Sequence, residues 1–260
     1  MFFSTGTVLV EGISEALLLP VFARKINASF DIDKNGIEIV NINGVAFEPF
    51  AKLFNSENSK KRLHSRCSII SDNDKGQISP KHFINAEQEI DKVQAKKIIH
   101  VLKDYDIIDS TNRIVNYDIE DNLNLVEFQE KEGFIKQVLD ERINKISDRA
   151  ENAKELSGGN LKVELAEYTF EYELMVANNF NCWLVRLIYM KMHPKTSFCS
   201  SDSSIETKAH DLISRLDSNK DKSALAENIA YFLDNSDLIR NKFEVPKYIE
   251  RSLKWVILGE

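Results

Sequence analysis

Residues 8–20 read VLVEGISEALLLP. Val8, Leu9 and Val10 make a short apolar run rich in β-branched residues, which suits a strand covered on both faces. The run stops at Glu11-Gly12, and Ser14 to Lys25 follow with Leu17, Leu18, Val21 and Phe22 at helical spacing. A carboxylate at the end of a buried strand, followed by a glycine free to turn sharply, lies where open α/β sheets place their chemistry. Glu15 comes four residues after Glu11, near the first turn of the helix, so both carboxylates can point at one place. An ordinary strand-turn-helix with two solvated acids satisfies the same pattern, so the segment needs support from the rest of the chain.

Outward from this stretch, Ile37 to Ile42 (IEIVNI) reads as a second strand closed by Asn43-Gly44, and Phe47 to Phe54 as a short amphipathic helix. A basic turn, Ser59 to Arg66, leads into a third strand, Cys67 to Ile70, which ends at Ser71-Asp72-Asn73-Asp74. The order β-α-β-α-β with short links implies a parallel sheet with right-handed crossovers. From Pro80 to Asn160 the pattern turns charged and helical. Ala86 to Tyr105 carries Ile90, Val93, Ile98, Val101 and Leu102 as inward candidates, and Gly133 to Leu156 reads as a second long helix or helix pair. Ser157-Gly158-Gly159-Asn160 reads as a linker. Leu161 to Ala166 alternates like a returning strand, an apolar helix runs to Met192, and further helices span Ser204 to Leu216, Ser223 to Leu233 and Pro246 to Leu258. The expected fold is α/β: a mainly parallel sheet flanked by helices, with a helical insertion and a C-terminal helical region. The expected divisions are 1–79 and 161–260 for the core and 80–160 for the insertion.

Composition narrows the class. With 43% hydrophobic and 9% aromatic residues over 260 positions, the chain has the makings of a sizeable core. No run approaches the ~20 apolar residues of a membrane span, and MFFSTGTVLVEG lacks the basic start of a signal peptide. Cys67, Cys182 and Cys199 form no CxxC pair and read as reduced structural residues of a cytoplasmic protein, not as a zinc site. A net charge of -7 argues against coating nucleic acid by bulk electrostatics. An enzyme that gathers carboxylates around cations can nevertheless be acidic and still set local Lys and Arg against phosphates.

Three DxD pairs occur, Asp31/Asp33, Asp72/Asp74 and Asp104/Asp106, and only the second directly follows a buried strand. Alternate residues of an extended segment point the same way. If the first and third strands are neighbours, Glu11, Asp72 and Asp74 therefore meet at one rim of the sheet. Carboxylates so gathered repel and raise one another's pKa, and a bound cation resolves the conflict. Oxygen donors without His or Cys favour Mg²⁺ or Mn²⁺.

A glutamate ending the first strand with DxD ending the third resembles the Toprim signature. The ordered set VEGISEALLLP, INGVAF, IISDND and YTFEYEL resembles more specifically the Toprim half of OLD-family (overcoming lysogenization defect) ATP-dependent endonucleases. The resemblance implies metal ligands at Glu11, Glu15, Asp72 and Asp74. It adds Glu171, with Thr169 beside it, from a TLE-like element at Thr169-Phe170-Glu171. It implies a catalytic lysine at Lys222, before Ser223-Ala224-Leu225-Ala226; Lys220 competes for that role, because Ser223 and Leu225 depart from the family's glycine and aromatic.

The implied activity is two-metal hydrolysis of DNA phosphodiester bonds, as an endonuclease or nickase. The implied partners are DNA, an ABC-type ATPase domain or subunit, possible helicase-like proteins of antiphage defence, and further copies of the chain. The chain has no GxxxxGK[ST], so the ATPase is expected on a longer protein or a separate subunit. A non-catalytic Toprim assembly module, in an antiphage or DNA-repair complex, and a nucleotidyl-transfer enzyme are the competing readings.

Overall fold

The structure, a computed structural model, describes residues 4–73, 78–108, 112, 114, 126–198, 203–219 and 221–260. The chain divides into two compact units, Met1–Asn73 with Asn152–Glu260, and Asp74–Glu151.

The first unit is built on four parallel strands, β1 (Gly6–Val10), β2 (Ile37–Asn41), β3 (Arg66–Ser71) and β4 (Leu161–Leu165), in the order β2-β1-β3-β4. Strands β1 and β3 are neighbours in register Val8↔Ser68 and Val10↔Ile70. Every residue of β1 is buried, because the sheet is covered on both sides. Val8, Val10 and Ile70 face one layer, packed with Leu18, Leu19 and Phe22 of α1 (Ile13–Ile26) and Leu253 and Val256 of α11 (Lys247–Leu258). Leu9, Cys67, Ile69 and Leu161 face the other, against Phe47, Ala51 and Phe54 around the short helix α2 (Glu48–Ala51). This period-two alternation sorts the apolar residues between the layers.

Helix α1 runs through Pro20 and ends with Arg24 and Lys25, cations that suit a helix C-terminus. Beyond β4 come α6 (Phe170–Val176), α7 (Asn179–Met192), α8 (Ile205–Asn219), α9 (Lys222–Asn235) and α10 (Asp237–Lys242). Arg24 pairs with Asp234 at 2.9 Å and ties α1 to α9. Helix α11 runs against the strand direction. It starts at Tyr248 beside the carboxyl ends and finishes where Arg66 donates to the carbonyls of Trp255 and Val256, both at 3.3 Å.

The second unit has its own core, in which α3 (Pro80–Phe83), α4 (Lys92–Asp104) and α5 (Glu132–Leu156, as far as Glu151) supply Phe83, Ile98, Leu102, Ile135 and Leu139.

Three expectations need correction. Residues 86–90 form a turn closed by backbone bonds between Asn85 and Ile90, and α4 starts only after Asp91, whose carboxylate accepts from the N–H groups of Val93 and Gln94. The buried stripe of α4 is Ala95, Ile98, Ile99 and Leu102, and Val93, on the opposite face, is 62% exposed. Ser157 to Asn160 is no free linker. Asn160 donates to the carbonyls of Phe54, Leu63 and His64, and Gly159 adopts φ +56° where a Cβ would meet Phe54 O at 2.8 Å. Pro246 precedes α11 as its cap instead of opening it.

Candidate functional site

The site lies at the carboxyl ends of β1 and β3. Glu11, one residue past β1, accepts a hydrogen bond from the Asp72 backbone N–H at 3.1 Å and another from the Ser71 hydroxyl. The glutamate of one strand is thereby held against the end of its neighbour. Asp72 in turn accepts from the Phe170 N–H at 2.8 Å, which draws the first turn of α6 to the same rim. Thr169 caps α6 through its side-chain oxygen, bonded to the Tyr172 N–H at 3.3 Å. The next residue but one, Glu171, is buried and makes an ion pair with Lys222 at 3.5 Å. The site thus assembles from β1, β3, α1, α6 and α9.

Glu15 is the electrostatic focus. Only 6% exposed, its carboxyl is pushed up to about 7, first by burial and then by the carboxylates of Glu171 and Glu11, against the opposing pull of its own backbone N–H and Lys222. Gly12 explains how the side chain fits. Its φ of -144° suits any residue, so the expected need for a freely turning glycine is not met. What matters is size, since a Cβ at Gly12 would lie 3.1 Å from Glu15 Oε2. Tyr248 reports the same convergence from α11. Its phenol is pushed well up by burial and then by Asp72, Glu15, Glu173 and Glu171.

Other expectations fall outside the site or outside the description. Asp74 and Lys220 lie outside the described residues. The remaining DxD pairs serve locally: Asp31 accepts from the Lys34 N–H, and Asp104 pairs with His100. Glu173 accepts from the Glu167 N–H at 3.1 Å. The basic turn Ser59 to Arg66 enters the amino end of β3, on the rim opposite the carboxylates.

The structure adds Ser71, Tyr248 and the Phe170 N–H. Ser71 is adjacent to the DxD pair and legible from it, whereas nothing in the sequence around Tyr248 marks it.

The donors fit a hard divalent cation. All are carboxylate or hydroxyl oxygens, and burial, followed by the neighbouring carboxylates, pushes Glu15 up to about 7. Among the described residues no three His, Cys, Asp or Glu side chains stand close enough to form a ready-made metal cage. Binding an ion with these groups requires the carboxylates to draw inward.

A parallel sheet with a strand-end glutamate locked to a strand-end aspartate defines the class, a Toprim-type α/β domain. Residues 2–74 match the family described as "Overcoming lysogenization defect protein-like, TOPRIM domain", so this segment is similar to the Toprim domain of OLD-like proteins. It is also similar to the C-terminal region of the Xanthomonas campestris pv. campestris OLD protein, with 19% identity over 100% of this chain and 97% of that one, at a TM-score of 0.49. The C-terminal region of the Burkholderia pseudomallei OLD protein is 19% identical over 99% of both chains, also at 0.49. No curated protein matches the sequence.

Proposed function

We propose that this chain is a divalent-metal-dependent DNA endonuclease or nickase of the cytoplasm, coupled to an ABC-type ATPase domain or subunit. The observation that carries the reading is the 3.1 Å bond from the Asp72 N–H to Glu11, which commits two acids from separate strands to one rim. Glu11, Glu15, Asp72, Asp74 and Glu171, with Thr169 beside them, would hold two Mg²⁺ or Mn²⁺ ions. Bound there, the ions would supply water activation and neutralisation of the departing 3′ oxygen.

The chain's own groups supply the rest. Lys222, with its side chain 37% exposed, can turn from Glu171 towards a phosphate oxygen and offset the charge that builds on phosphorus. Glu11 fixes the Asp72 peptide, and the Thr169 cap fixes the turn that carries Glu171. Val10 and Ile70 give the rim a dry apolar floor, which strengthens these charge interactions. Self-association, and a helicase-like partner in antiphage defence, belong to the same reading.

The test is cleavage of supercoiled plasmid in Mg²⁺ or Mn²⁺, with and without an ATPase partner. Wild type is expected to nick or linearise the DNA, and Asp72→Ala to leave it intact. Wild type inert under both conditions would favour the assembly module. Activity that persists in Asp72→Ala would belong to a contaminant.

A further inference from the structure

Asp221 stands directly before α9, in the place where an aspartate ordinarily caps a helix by accepting from its first N–H groups. It makes no such bond, and its backbone, at φ -98° and ψ 8°, is not in the extended conformation usual for a cap. Its carboxylate is instead 2.8 Å from Nε2 of His193, the residue that ends α7. His193 is itself held twice: its N–H donates to the Tyr189 carbonyl at 2.9 Å, and its ring lies 4.7 Å from the Tyr189 ring. The Asp221 carbonyl accepts the bond that starts α9, from the Leu225 N–H at 3.0 Å. The next residue is Lys222, whose ammonium reaches the buried Glu171 at 3.5 Å.

We infer that His193 is a positioning residue. Through Asp221 it anchors the first turn of α9 to the end of α7 and aims Lys222 at the acidic rim. The helix forgoes its cap so that the start of α9 has one fixed place. The inference rests on the role proposed for Lys222, because a small displacement of a charged group costs rate far more than it costs stability.

The experiment uses the full chain in the plasmid-cleavage assay, with variants that separate aim from folding. Asp221→Ser keeps a side chain able to cap α9 but cuts the link to His193. It is expected to retain its melting temperature while kcat falls about tenfold and KM stays unchanged. His193→Ala should lose a similar factor, and His193→Gln, which keeps an N–H for Asp221, should recover most of it. In a double-mutant cycle the His193→Ala loss should vanish once Lys222 is alanine. An equal His193→Ala loss in both backgrounds, or no loss at all, would overturn the inference. Full activity of Lys222→Ala would instead remove the role proposed for that lysine.

A readout independent of cleavage is the NMR shift of the Lys222 ε-methylene, assigned with Lys222→Arg. It should move in His193→Ala and return in His193→Gln. A shift that does not move overturns the inference even if the protein cuts no DNA.

Discussion

The two rims of one sheet are built on opposite principles. At the amino rim, polar groups are satisfied by hydrogen bonds within the protein. The Asn160 side chain bonds two carbonyls, Arg66 closes the end of α11, and Trp255 donates its indole N–H to the Cys67 carbonyl at 2.8 Å. At the carboxyl rim, Glu11, Glu15, Asp72 and Glu171 lie along one edge, and burial pushes the carboxyl of Glu15 up to about 7. One rim serves stability. The other buries a carboxyl among acidic neighbours at a cost, an arrangement that suits a ligand site.

That contrast can be broken in four ways. Asp72→Ala should remove at least about 100-fold of the plasmid-cleaving rate and leave the melting temperature close to wild type. A large loss of stability with cleavage retained would make the carboxyl rim structural as well.

Glu15 tests the cost directly. Its folded pKa is above that of the unfolded chain, so the folded state holds the proton more tightly. The contribution is fully favourable below about pH 4.5 and is lost as pH rises through about 7. Urea unfolding in the absence of divalent ions should therefore show stability falling by about 3 kcal/mol across that window. Glu15→Gln should flatten the fall, and Mg²⁺ at pH 8 should raise the stability of wild type but not that of the variant. A wild-type profile as flat as that of Glu15→Gln would show that neither burial nor its acidic neighbours burden Glu15.

Asn160→Ala should cost about 1–2 kcal/mol in urea unfolding, through the loss of its side-chain bonds to Leu63 and His64. Its kcat should stay unchanged, and a drop in kcat would mean that the amino rim takes part in the chemistry. The smallest effect is expected from Lys60→Ala with Lys61→Ala. These exposed cations enter the amino end of β3, so stability should change by less than about 0.5 kcal/mol and the cleavage rate should not move.

Much of this organisation was legible in the sequence because it depends on short-range pattern. The apolar run before Glu11 and the one before Asp72 announce buried strands, and the short links between them dictate parallel neighbours, which β1 and β3 are. What the sequence hid depends on distant partners. Ser157 to Asn160 has linker composition, yet the Asn160 side chain finds a carbonyl 97 residues earlier in the chain. Gly12 reads as a turn residue, and only the folded Glu15 shows that its missing Cβ is what counts. Val93 is apolar and three residues from Ile90, yet the turn before Asp91 keeps Ile90 out of the helix and the buried stripe runs through Ala95, Ile98, Ile99 and Leu102 on the other face. Asp221 reads as an ordinary helix cap, because nothing in the local sequence reveals that its carboxylate is taken by His193.

The antiparallel course of α11 also bears on biogenesis. Ser252 in this helix hydrogen-bonds Ser68 of β3 across 184 residues, and Val256 covers Gly6 of β1. The central strands thus leave the ribosome long before the helix that seals them. Until it arrives, the part of that face which α1 does not cover stays open to water and to other chains. Apolar surface exposed over that interval is a place where nascent chains aggregate.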